Sequence, residues 1–98
     1  MKLPGKGRAG TLESGDILIE VEPIQSNTEI FLRSSVMSLY GQQIRAVLLR
    51  TLEELDLQGV LITAQDKGAL DCTIRARLLT AVARAGGPVL PWQGEVQV

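Results

Sequence analysis

The sequence predicts an α+β domain, a four-stranded, mostly antiparallel sheet with two helices packed on one face, in the order βββαβα. Three observations carry this. The front third alternates β-prone runs with turn residues; two later segments space their apolar residues by three and four; and an apolar run of strand length, 59–64, lies between those segments.

Residues 1–8 hold two Gly, one Pro and three Lys or Arg, and read as a flexible lead-in that joins the fold near Ala9. A short strand over 9–13 is expected next, joined through Ser14 and Gly15 to a second over 16–24. The second contains Ile17-Leu18-Ile19-Glu20-Val21-Glu22, which is strongly β-prone, and the run stops at Pro23. Gln25-Ser26-Asn27 is a polar turn into a third strand over 29–34, so the front third reads as an antiparallel meander.

Ser34-Ser35 offers a hydroxyl to cap a helix. Val36, Tyr40, Ile44, Val47, Leu48, Thr51, Leu52 and Leu55 follow on one face, with Gln42, Gln43, Arg45, Arg50, Glu53 and Glu54 on the other. The helix spans about 20 residues, on the order of 30 Å. Gly41 inside it costs ~1 kcal/mol relative to alanine and marks either a close backbone approach or a weak first turn.

Gln58-Gly59 breaks the helix, and the strand over 59–64 is apolar enough to lie inside the sheet rather than at its rim. Asp66-Lys67-Gly68 turns the chain into a second helix starting near Ala69. Leu70, Ile74, Leu78, Ala81, Val82 and Ala85 form its expected buried stripe, and Thr73, Arg77, Thr80 and Arg84 a polar one. Asp71 suits the positive end of the helix and lies within i,i+4 reach of Arg75, while Gly86-Gly87-Pro88 ends it.

The 98 residues are read as one domain, 1–98. A chain this short buries only about 60–65% of the surface its unfolded form exposes, so a core together with a deep, walled active site is hard to build. Histidine is absent, which removes the usual near-neutral base and the commonest metal ligand. The single cysteine, Cys72, has no second thiol for a disulfide or a zinc site, suits a reducing cytoplasm, and is expected to be packed rather than reactive. A formal charge of −1 and only three aromatic residues, Phe31, Tyr40 and Trp92, argue against nucleic acid. No apolar run approaches the roughly 20 residues that cross a bilayer, and no export signal is evident. The Gly5-Lys6-Gly7 run lacks the length and context of a phosphate-cradling loop. These readings favour a protein or small-molecule partner and disfavour a free-standing enzyme.

The chemically informative segment is Gly10-Thr11-Leu12-Glu13-Ser14-Gly15-Asp16, which puts a hydroxyl at the tip of a turn. Together with Asp66-Lys67-Gly68-Ala69-Leu70-Asp71-Cys72, Arg75-Ala76-Arg77-Leu78 and Leu90-Pro91-Trp92, it closely resembles the acyl carrier protein, or gamma subunit, of citrate lyase, over about 9–92. The resemblance implies that Ser14 carries a covalent 2'-(5''-phosphoribosyl)-3'-dephospho-CoA group through a phosphodiester, attached by a dedicated prosthetic-group transferase. It also implies the citrate lyase alpha (acyl transferase) and beta (lyase) subunits as partners. The carrier of malonate decarboxylase, which uses the same kind of group, is the nearest alternative. A small α+β interaction domain whose Ser-Gly-Asp turn is only structural is another. Ordinary acyl carriers differ, presenting their serine at the start of a helix in an all-helical bundle.

Glu13 and Asp16 flank Ser14 with carboxylates expected to repel the phosphates of an attached group and leave it free to swing. Asp66 to Asp71 need only be a strand-to-helix connection, and Arg75, Arg77 and Arg84 offer a docking surface or merely a soluble face. Lys6 and Arg8 are the nearest basic residues in sequence, and Trp92 either clips the C-terminal segment onto the body or anchors an interface.

Overall fold

The computed structural model describes residues 1–34 and 37–91. Along the chain run β1 (Gly7–Ala9), β2 (Ile17–Pro23), β3 (Glu29–Ser34), α1 (Met37–Glu54), β4 (Val60–Asp66) and α2 (Asp71–Arg84). The four strands form one sheet in the order β1-β2-β4-β3. This is the expected α+β architecture, with β4 inside the sheet.

The meander does not form. β1 and β2 pair antiparallel, but β3 is two places away from β2 and runs parallel to β4, with Ile30 opposite Ile62 and Leu32 opposite Ala64. The physical reason lies in the connection. A helix between two strands returns the chain to the end where the first strand began, so β3-α1-β4 yields a parallel pair. β4 is the apolar strand and takes the position between two neighbours, where both of its edges are hydrogen-bonded.

Alternation along the strands separates two faces. Ile17, Ile19 and Val21 of β2 and Val60, Ile62 and Ala64 of β4 are buried against the helices, whereas Glu20, Thr63 and Phe31 are exposed on the other side. From α1 the core receives Ile44, Val47, Leu48 and Leu52, with Thr51 also buried, and Leu55 joins them just past its end; α2 adds Ile74, Leu78, Leu79, Ala81 and Val82. Two expected core residues lie outside it: Tyr40 is 54% exposed and Leu70 is 71% exposed. Gly41, not Tyr40, is buried on the inner face of α1, and Leu70 precedes the first turn of α2 in extended conformation, off the helical stripe. Of the capping pair, Ser35 lies outside the described residues, as do Val36 and Trp92.

The N-terminal boundary also shifts. Leu3 is buried in the core and β1 starts at Gly7, so the chain meets the fold before Ala9, and of the expected strand over 9–13 only Ala9 lies in β1, the rest being loop. Gly7 allows this, because a Cβ there would lie 2.1 Å from the carbonyl oxygen of Ala81 and 2.6 Å from the amide nitrogen of Ala85. Both are backbone atoms that cannot swing aside. Gly7→Ala is therefore expected to lower stability by about 2–3 kcal/mol in urea unfolding; a change below ~0.5 kcal/mol would show that β1 lifts from α2 without cost.

Candidate functional site

The segment from Gly10 to Asp16 links β1 to β2, and Ser14 stands at its tip. The Asp16 amide donates to the Glu13 carbonyl at 3.1 Å, closing a four-residue turn whose second residue is Ser14. Gly15, the third residue, has φ +84°, the sign that a type II turn demands at that position. The Gly15 amide then donates to the Lys67 carbonyl at 2.7 Å, and the Lys67 amide to the Asp16 carbonyl at 2.9 Å. Two residues thus oppose one, a bulge with a left-handed glycine at its first position. A Cβ on Gly15 would meet nothing within 4 Å, so the backbone conformation alone requires glycine. Ser14 is exposed, as are Thr11, Leu12, Glu13 and Gly15 around it.

Asp16 is the internal fastener of this loop. Its Oδ1 accepts from the Ile17 amide at 2.7 Å and from Arg77 Nε at 2.9 Å. Its Oδ2 accepts from the Thr11 amide at 3.1 Å, the Thr11 hydroxyl at 2.8 Å and Arg77 Nη2 at 3.0 Å. The Asp16 side chain is only 13% exposed. Hydrogen bonding from Arg77 holds the Asp16 carboxyl well below the usual range; partial burial opposes this, and the Ile17 and Thr11 bonds reinforce it. Asp16 in turn raises the Arg77 guanidinium above its ordinary value. The expected repulsion by two carboxylates is thereby corrected. Asp16 is already neutralised by Arg77, 61 residues away in sequence, and only Glu13 places an unpaired carboxylate beside Ser14 among the described residues.

This pairing has a pH signature. Because the folded Asp16 titrates below its unfolded value of about 3.9, its contribution is complete at neutral pH and is lost as pH falls below about 4. Wild type should therefore destabilise more steeply than Asp16→Asn between about pH 4 and 2, as measured by urea midpoints. Parallel curves would show that the pair adds nothing.

The connection that faces the turn is built by Asp66, which is 2% exposed. Its Oδ2 accepts from the Ser34 hydroxyl at 2.9 Å and the Gly68 amide at 3.1 Å, and its Oδ1 from the Ala69 amide at 3.0 Å. These bonds shape the bend from β4 into α2 and so place the Lys67 backbone against Gly15. The structural reading of Asp66 holds, and it reaches further than a connection needs to.

The three arginines expected to offer a docking face are all engaged within the chain. Arg75 bonds Glu54 of α1 at 2.6 Å rather than serving only its own helix, Arg77 bonds Asp16, and Arg84 donates to the Arg8 carbonyl at 2.9 Å. Asp71 accepts from Gln43 of α1 at 2.8 Å. Lys6 and Arg8 pair with Glu22 and Glu20 on the open face of the sheet. Cys72, in the first turn of α2, is exposed, against expectation, and lies at the open groove between α1 and α2. Among the described residues no cluster of His, Cys, Asp or Glu is placed to hold a metal, and no helix is long and apolar enough to cross a membrane.

Comparison with known proteins decides what this exposed serine belongs to. Residues 5–85 match the family described as the malonate decarboxylase delta subunit (MdcD), an acyl carrier protein. The chain is also 43% identical, over 95% of its length and 97% of the relative's, to citrate lyase acyl carrier protein 1 of Salmonella paratyphi A. The chain belongs to the citrate lyase acyl carrier family. Among solved structures, the carrier matches a chain of a Pseudomonas malonate decarboxylase hetero-tetramer crystallised with malonate, at TM-score 0.73 and 25% identity, covering 84% of each chain. A protein of Thermus thermophilus shares the fold over 86% of the carrier and 16% of its own length, with TM-score 0.61 and 14% identity.

The turn expected around Ser14 is present and exposed, whereas the ties made by Thr11, Asp16–Arg77 and Ser34–Asp66 are not expected from the sequence. The Ser-Gly-Asp pattern marks a turn locally. Nothing local tells which distant cation its aspartate meets.

Proposed function

We propose that this chain is the non-catalytic acyl carrier subunit of a cytoplasmic citrate-cleaving complex, and that Ser14 carries a phosphoribosyl-dephospho-CoA group through a phosphodiester. The observation that supports this best is the exposed Ser14 at the tip of a turn pinned on both flanks, in a chain of this family.

The site fits such a group. A long arm needs an attachment atom in open space and no wall around it, and the residues surrounding Ser14 are themselves exposed. Ser14 has no histidine in the chain to take its proton, so the prosthetic-group transferase supplies the base. In that step the Ser14 Oγ–phosphorus bond forms as the phosphoanhydride bond to that ribosyl 5''-phosphorus in an activated, polyphosphorylated donor breaks, the terminal phosphates depart as the leaving group, and the serine proton passes to the transferase. Once attached, the group supplies a terminal thiol for acetyl and citryl thioesters. The fold around Ser14 then acts as a handle, and tethering makes each delivery to the alpha (acyl transferase) and beta (lyase) subunits intramolecular, at a high effective concentration.

Malonate decarboxylase remains the second reading, favoured by the family match and by the Pseudomonas structure. Reconstitution separates the two. The carrier, charged by its transferase and mixed with citrate lyase alpha and beta subunits, should restore citrate-dependent oxaloacetate release. Restoration of malonate decarboxylation by malonate decarboxylase subunits, with no oxaloacetate formed from citrate, would overturn the citrate reading.

A further inference from the structure

The loop bearing Ser14 has no apolar anchor of its own. From Thr11 to Gly15 every residue is exposed, and the buried flanks are Ala9 and Ile17. An exposed stretch of this kind ordinarily samples many conformations. What holds it here is a small set of polar ties, and the ties converge on Asp16. The aspartate gathers the Thr11 amide and hydroxyl from one end of the loop and the Ile17 amide from the other. The aspartate itself is held by Arg77 through Nε and Nη2, a two-bond fork onto both carboxylate oxygens.

Arg77 is well placed to act as a fixed post. It lies on α2 next to Leu78 and three residues after Ile74, both buried in the core, so its backbone is set by helix packing and not by the loop. A guanidinium fork is also planar and pre-organised, and loses less freedom per bond than an ammonium would. The second tie, between Gly15 and Lys67, runs through backbone atoms and fixes only the near side of the turn.

We propose that Arg77 is a positioning residue for Ser14: its fork to Asp16 holds the turn in the one shape that the modifying transferase binds. The inference rests on Ser14 being the attachment point. It assigns α2 a part in the reaction at the loop although no residue of α2 forms the phosphodiester. The transferase meets a turn already in its bound conformation and does not have to order it.

The test compares Arg77→Met with wild type in two ways. In the unmodified carrier, 15N relaxation should show order parameters at 13–15 falling from about 0.85 to below ~0.6, with those of β2 and α2 unchanged. With a citrate lyase prosthetic-group transferase and its activated donor, the 5''-polyphosphorylated form of the phosphoribosyl-dephospho-CoA group, KM for the carrier should rise about tenfold, the scale of ordering one residue, while kcat stays within about twofold. Arg77→Lys, which keeps the charge but not the fork, should fall between the two. Should Arg77→Met fail to fold, Asp16→Asn supplies the comparison, with a rise in KM and in loop mobility again expected. Wild-type mobility and KM in whichever of these variants folds would overturn the inference while leaving Ser14 as the attachment point. Absence of label on wild type would overturn the Ser14 reading, and the inference with it.

Discussion

Ser14→Ala should abolish attachment of the prosthetic group and reduce reconstituted citrate cleavage to background, while leaving the fold intact. The expectation follows from the geometry. Ser14 is exposed, and its side chain has no hydrogen bond to another described residue, so removing one hydroxyl should cost less than about 0.5 kcal/mol of stability. Function is lost for a chemical reason alone, because no other hydroxyl stands at the tip of the turn. Thr11 has the only other hydroxyl in the loop, and it is committed to Asp16 and to the Glu13 amide. Thermal unfolding and reconstituted turnover, run side by side, check this. Unfolding of the variant, or turnover at the wild-type rate, would contradict it.

Asp66→Ala should have the largest effect on stability. The buried carboxylate accepts three part-buried hydrogen bonds, from the Ser34 hydroxyl and the Gly68 and Ala69 amides, and Asp66→Ala removes all three charge-assisted bonds at once. A cost of about 2–4 kcal/mol is expected, which for a domain of this size lowers the melting temperature by about 10–20 °C. The bend that presents Lys67 to Gly15 should loosen at the same time. Asp66→Asn, which still accepts at one oxygen, should cost about half as much. Circular dichroism melts of the two variants decide the point; equal melting temperatures for wild type and Asp66→Ala would show that the bend is held by its backbone alone.

Much of the fold is legible in the sequence because it depends on local periodicity. The spacing of Ile44, Val47, Leu48 and Leu52 defines the inner face of α1, and the run from Ile17 to Glu22 defines β2, whatever surrounds them. Strand partners depend instead on where the chain returns. Chain order alone puts β3 beside β2, yet α1 carries the chain back so that β4 separates them. The strand-helix-strand order already contained that information. Gly7 shows a different limit: a glycine in a Pro- and Gly-rich start reads as a lead-in, and only its contact with the backbone of α2 reveals a strand.

The candidate site divides in the same way. Ser14, Gly15 and Asp16 are legible as a turn because turn chemistry is local, and Ser14 stands out because a hydroxyl is placed where a partner can reach it. Asp16 with Arg77, and Asp66 with Ser34, are separated by 61 and 32 residues, and no spacing rule links such pairs. Charge read from sequence alone therefore misleads around Ser14. Two acidic neighbours become one once the Asp16–Arg77 fork is seen.

The most direct test of the account is the intact mass of the protein produced together with its modifying enzymes, followed by peptide mapping. The account predicts the added mass of a single phosphoribosyl-dephospho-CoA group on wild type, located on the peptide containing Ser14, and no added mass on Ser14→Ala. An unmodified wild type, or the same added mass on both proteins, would contradict it.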